Sequence, residues 1–83
     1  MTEAEMDPEE RRERLRYSLG KHKGRAERLS GLGLFEHTMY DPKIEAARVS
    51  GWREADANPD GYALDDEVHA FQHFLEEAKK EFA

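Results

Sequence analysis

Residues 64–82 read LDDEVHAFQHFLEEAKKEF, and within them Val68, Phe71, Leu75, Ala78 and Phe82 recur at spacings of three and four. That is the period of one face of an α-helix. Asp65, Asp66 and Glu67 open the stretch and Lys79 and Lys80 close it, so each sign of charge lies at the end the helix dipole favours. A helix over about 65–82 follows. No part of the chain alternates polar and apolar residues with period two, so no sheet is expected.

Working back from this helix, Asp56-Ala57-Asn58-Pro59-Asp60-Gly61 is a polar, turn-forming loop. Before it, Asp41-Pro42 supplies a capping acid followed by a proline in the first helical position. The helix it starts runs over about 42–55, with a stripe of Ile44, Ala47, either Gly51 or Trp52, and Ala55. Residues 31–40 link this helix to the one before and carry Leu32, Leu34, Phe35, Met39 and Tyr40, which are expected to pack over the core.

The first helix, about 8–29, begins with the same signal: Asp7 as cap, Pro8, then Glu9 and Glu10. Its stripe is Leu15, Leu19, His22, Ala26 and Leu29. Gly20 and Gly24 lie inside it, each costing about 1 kcal/mol against alanine. They either weaken the helix or let another backbone come close. The expected fold is all-α, a compact three-helix domain. Its core should hold Leu15, Leu19, Leu29, Leu34, Phe35, Ile44, Trp52, Val68, Phe71, Leu75 and Phe82.

The chain has 83 residues, enough for one domain with a thin core. It is 37% hydrophobic and 39% charged, yet eight aromatic residues argue against disorder throughout. There is no cysteine, which excludes disulfides and thiolate metal sites. The start, MTEAEMDPEE, lacks the apolar segment of a signal peptide, and no apolar run approaches the ~20 residues of a membrane span. A cytoplasmic protein with no membrane partner is expected.

Charge is distributed in blocks. Residues 1–10 carry five acids and no base, residues 11–55 eleven bases against six acids, and residues 56–83 two bases against eight acids. The single domain therefore divides into an acidic, flexible N-terminus (1–7), a basic two-helix core (11–55), and an acidic loop with the third helix (56–83). The two signs suggest opposite partners, phosphate for one and a basic protein for the other.

Asp56-x-Asn58-x-Asp60-Gly61-Tyr62-x-x-x-x-Glu67 has the spacing of an EF-hand calcium loop. Calcium needs hard oxygens converging on one point. Asp56, Asn58, Asp60 and Glu67 would supply side-chain oxygens, Tyr62 a backbone carbonyl, and Gly61 the sharp turn. The competing reading is a helix-turn-helix corner with capping acids. His69 and His73 share a helix face and, with Asp66, Glu76 or Glu77, make a weak transition-metal candidate, the alternative being an ordinary polar face. No nucleophile elbow or phosphate-binding glycine loop occurs, and a chain this small rarely encloses a substrate cavity. The protein is read as non-enzymatic, with no catalytic residue and no small-molecule substrate.

The densest basic run, Arg11 to Arg28, lies on the first helix with Tyr17 among it. Arginine and lysine can contact phosphate and tyrosine can stack on a base, though acids along the helix could equally neutralise the run. Three further pieces carry a resemblance: Tyr17-x-x-Gly20-x-x-x-Gly24, Met39-Tyr40-Asp41-Pro42, and Ser50-Gly51-Trp52-Arg53-Glu54-Ala55. Together they make residues 12–55 similar to the ribosome modulation factor family. Its members are small basic two-helix bacterial proteins that bind ribosomal RNA and help ribosomes dimerise in dormancy. Related short proteins occur in phage genomes. The acidic third helix is an addition to that pattern.

The resemblance implies an RNA- or ribosome-binding role, with Arg12, Arg16, Tyr17, Lys21, Lys23, Arg25 and Arg53 as candidate contacts. It predicts ribosome co-sedimentation that weakens steeply with salt. Two alternatives stand beside it. One is a protein-binding regulator, such as a phage-encoded inhibitor, whose acidic ends mimic nucleic acid. The other is a calcium-binding domain whose melting temperature rises with calcium unless Glu67 is replaced.

Overall fold

The computed structural model describes residues 7–31 and 41–82. Three α-helices account for most of them: α1 at Pro8–Ser30, α2 at Pro42–Ala57 and α3 at Leu64–Glu81. A single 3-10 turn, Pro59–Gly61, separates α2 from α3. No strand occurs among the described residues. The all-α, three-helix expectation holds, with helix ends within two residues of those read from the sequence. Among the described residues, no helix is long and apolar enough to cross a membrane.

Both Asp-Pro starts work as capping chemistry requires. The Asp7 carboxylate accepts the Glu9 amide at 2.9 Å and Asp41 accepts the Lys43 amide at 2.8 Å. Gly31 ends α1 in the left-handed conformation, φ 71°, donating its amide to the Glu27 carbonyl. The N-cap of α3 is Ala63, which offers no side-chain bond, so the acids of the first turn supply the favourable charge there.

The contact between α1 and α2 is close enough to exclude Cβ atoms. A methyl group on Gly24 would overlap the Arg48 carbonyl oxygen and lie 2.7 Å from the Trp52 nitrogen. One on Gly20 would overlap the Ile44 oxygen and come within 2.6 Å of the Ala47 Cβ, and one on Gly51 would overlap the Lys21 oxygen. Glycine therefore permits close approach here. The register rises together on both helices, since Gly20 faces Ile44 and Ala47, Gly24 faces Arg48 and Trp52, and Arg28 reaches Asp56. The two helices run parallel, and the chain leaves α1 at Gly31 to re-enter at Asp41 beside Arg16. On its other side α1 meets α3, which runs antiparallel: His22 stacks on Phe74 and Arg16 lies over Phe82. Helices α2 and α3 make almost no contact with each other. The central helix carries both neighbours.

The buried apolar residues are Leu19, Ala26, Ile44, Ala47, Ala55, Phe71 and Ala78, with Phe74, Leu75 and Phe82 packed against them. Leu15, Leu29 and Val68 are half-buried. Leu34 and Phe35, and the packing expected of the 31–40 linker, lie outside the described residues apart from Gly31. Trp52 departs from its expected place in the core and is 39% exposed. The sequence left Gly51 and Trp52 as alternatives for one stripe position. The close crossing takes the glycine, and the next residue is rotated toward the edge of the helix pair.

Candidate binding face

The parallel crossing gathers charge along its edge. Glu54, on α2, receives Lys21 Nζ and the guanidinium of Arg25, the latter at 2.9 and 3.2 Å. Arg25 also reaches Glu67 of α3 at 3.4 Å, and Glu67 meets His22 Nδ1 at 2.5 Å. Five side chains thus tie three helices together, and Lys21 and Glu67 are each only 6% exposed. Such groups persist in a thin core because each charge has a partner; a lone one would be costly.

The protonation states respond accordingly. The hydrogen bond from Lys21 holds the Glu54 carboxyl below the usual range, outweighing desolvation, and Arg25 adds to the effect. Burial pulls the Lys21 ammonium down, but its bonds to Glu54 and Tyr17 more than reverse this and raise it. Desolvation likewise opposes the charged form of Asp41, yet the Lys43 amide and the Arg16 guanidinium, 2.9 Å away, hold its carboxyl low.

These pairs change the reading of the basic run. Lys21 and Arg25 are spent on Glu54 and Glu67. Arg16 is spent on Asp41, Glu9 and Glu13 and also covers Phe82, and Arg12 pairs with Glu9. Of the chain's thirteen Lys and Arg residues, only Arg14, Lys23 and Arg53 lack an ion pair among the described residues. Of the seven candidate contacts, Tyr17, Lys23 and Arg53 are in no ion pair among the described residues, although Lys23 is near enough to Glu45 to help hold its carboxyl low. Tyr17 is 58% exposed, with Lys21 Nζ 5.2 Å from its ring.

The outer edge of α2 provides a different set. Trp52 carries the Arg28 guanidinium 5.7 Å from its ring centroid, while Arg28 itself bonds Asp56 at 2.8 Å. Arg48, Val49, Trp52 and Arg53 line a shallow depression of about 210 Å³. Arg48 is held by Glu45 and Glu27, and Arg53 is exposed with no ion pair among the described residues. An indole face beside a free guanidinium can stack on a planar group and reach an anion next to it.

Two features here were not read from the sequence. Glu54 was quoted only as part of a motif, and its role as the hub of the crossing was missed. The signal was present: Lys21 and Arg25 lie one residue beyond Gly20 and Gly24, at the margin of the strip that must face another backbone. His22 was read as an apolar-stripe residue, and its bond to Glu67 had no local signature because 45 residues separate the two.

The calcium spacing does not become a calcium geometry. Asp56 lies inside α2 and bonds Arg28. Asn58 forms the C-cap of α2 and its side chain packs against Gly61. Asp60 is exposed in the 3-10 turn, the Tyr62 ring lies under Arg25 at 4.6 Å, and Glu67 turns away to His22 and Arg25. The Arg25 charge draws Glu67 toward α1, so the oxygens do not converge. His69 and His73 are both exposed. Among the described residues, no group of three or more His, Asp or Glu side chains is placed to hold a metal ion. No protein-family model, curated protein or solved structure matches the chain.

Proposed function

We propose that this chain is a non-enzymatic binding module directed at RNA, acting within a ribonucleoprotein such as the ribosome, and that the outer edge of α2 makes the contact. One observation carries the reading: the division of labour inside Ser50–Ala55. Gly51 and Ala55 are buried in the α1–α2 seam and Glu54 holds Lys21 and Arg25, so three residues of that stretch serve the fold. Trp52 and Arg53 serve none of these contacts and face outward. In the segment that resembles a ribosome-binding family, these are the groups suited to stack on a base and meet its phosphate.

With most cations neutralised internally, the RNA contact is led by stacking rather than by charge. This replaces the steep salt dependence expected from the basic run. It also favours RNA already held in a particle over free duplex, because a net charge of −6 gives little long-range attraction.

Trp52 is the chain's one tryptophan and therefore its own probe. Titration with a short oligouridine and with purified ribosomes should quench its fluorescence. Arg53→Ala should weaken the effect, and Trp52→Ala, followed by ribosome co-sedimentation, should cost about 1–3 kcal/mol of binding. Full ribosome binding by Trp52→Ala would rule this face out. Capture of a basic protein with no response to RNA would favour the acidic-regulator reading instead. That alternative is supported by five acids that carry no ion pair among the described residues, Asp7, Glu10, Asp60, Asp65 and Asp66.

A further inference from the structure

A second concave surface lies away from the α2 edge, where α3 leans on the N-terminal half of α1. It is an open groove of about 570 Å³, and Leu15, Tyr17 and Phe74 are among its lining residues, with Ser18 beside them. Arg11 and Arg14 stand at the same surface. Arg14 is exposed and has no ion pair among the described residues, while Arg11 is held only loosely, 3.9 Å from Glu81. Glu13, the one acid among the described lining residues, is already bonded by Lys43 and Arg16. The free charge among the described lining residues is therefore positive and the interior apolar.

The geometry points to a docking groove for an acidic peptide segment of a protein partner, an aliphatic side chain entering between Leu15 and Phe74 while a neighbouring carboxylate meets Arg14 and Arg11. Charge complementarity selects this occupant. One carboxylate is matched by the two guanidinium groups. A polyanion is not, because Glu10, one helical turn before Arg14, and Glu81, beside Arg11, would face its following phosphates. Apolar area supplies the affinity and the arginines choose the charge and direction of the segment. This surface is separate from Trp52, so the inference stands whether or not the α2 edge binds RNA.

The test is an amide-shift titration of the full, isotope-labelled chain with N-acetyl-leucyl-aspartyl-leucine amide, with the asparaginyl analogue as its uncharged twin. Shifts should cluster at Arg11, Arg14, Leu15, Ser18 and Phe74, and the aspartyl peptide should bind more tightly than its twin. Arg14→Ala, a surface change, should reduce the aspartyl preference by about threefold, the worth of one exposed ion pair. Phe74→Ala, checked for retained helicity, should weaken both peptides alike. Equal binding of the two peptides, shifts centred elsewhere, or no shifts at all would overturn the proposal. So would stronger occupation of the groove by oligouridine than by the aspartyl peptide.

Discussion

At Glu54 a single carboxylate serves two cations from another helix, and one of them, Lys21, is almost fully buried. Glu54→Gln leaves Lys21 with a weaker partner. The cost should be about 1 kcal/mol, below the ~3–5 kcal/mol of breaking a fully buried pair, because the carboxylate itself is more than a third exposed and screened by solvent. Thermal melts of the two proteins at neutral pH check the figure. The pH dependence follows from the direction of the shift. The folded-state pKa of Glu54 lies below its ordinary 4.5, so its contribution is complete above that pH and is lost as pH falls through the lower value. Lys21 is raised above 10.5, so its contribution is complete below that pH and is lost on strong alkalinisation. The difference between wild type and Glu54→Gln should therefore shrink below about pH 4.5.

Glu67 offers a second test at this scale. Its carboxylate is committed to His22 and Arg25, so calcium should leave the melting temperature unchanged. Glu67→Gln should lower it by an amount that calcium does not alter, on the order of 1–3 kcal/mol of stability. A calcium-dependent rise abolished by this substitution would mean that Glu67 leaves α1 for the loop. Spacing alone suggested the ion; only the position of α1 reveals the competing cations.

Among the elements, α2 shows how far the sequence could be read. Ile44, Ala47, Gly51 and Ala55 are its buried residues, at spacings of three, four and four. The stripe was legible, and so were the caps at Asp7 and Asp41, because each depends on neighbours a few residues away. The placement of Trp52 was not, since tryptophan is the residue hydrophobicity would bury first. What overrides hydrophobicity is the distance between two backbones, and its traces in the sequence are the neighbouring Gly51 and, on α1, Gly20 and Gly24. The parallel pairing of α1 and α2 was equally hidden, because either orientation satisfies the same stripes. Gly24→Ala tests the crossing. Helix propensity alone would reward the change by about 1 kcal/mol. Overlap with the Arg48 carbonyl oxygen should outweigh that gain, for a net loss of about 1–3 kcal/mol and a melting temperature lower by several degrees.

Across the whole molecule, charge blocks that look opposed along the chain are largely cancelled in space. Among the described residues Leu19 is the only large side chain that is fully buried, and ion pairs across the helix interfaces supplement the apolar contacts. The three cations left over bound the electrostatics of any RNA complex. The logarithm of affinity should fall with the logarithm of salt with a slope no steeper than about −2, the value if all three met phosphates of a single strand. Binding measured over a salt series decides this. A slope several times steeper would mean that the internal pairs open to meet phosphate.

The arrangement of two helices on either side of a third has a thermodynamic consequence. Because α2 and α3 hardly touch among the described residues, α1 is the element that packs against both sides and would carry an influence of one ligand on the other. Arg25 reaches Glu54 on one side and Glu67 on the other, which makes it the junction through which a coupling free energy would pass. If occupancy of the α2 edge alters affinity at the α3 groove, the reverse effect must be equal in size, and replacing Arg25 should diminish both together.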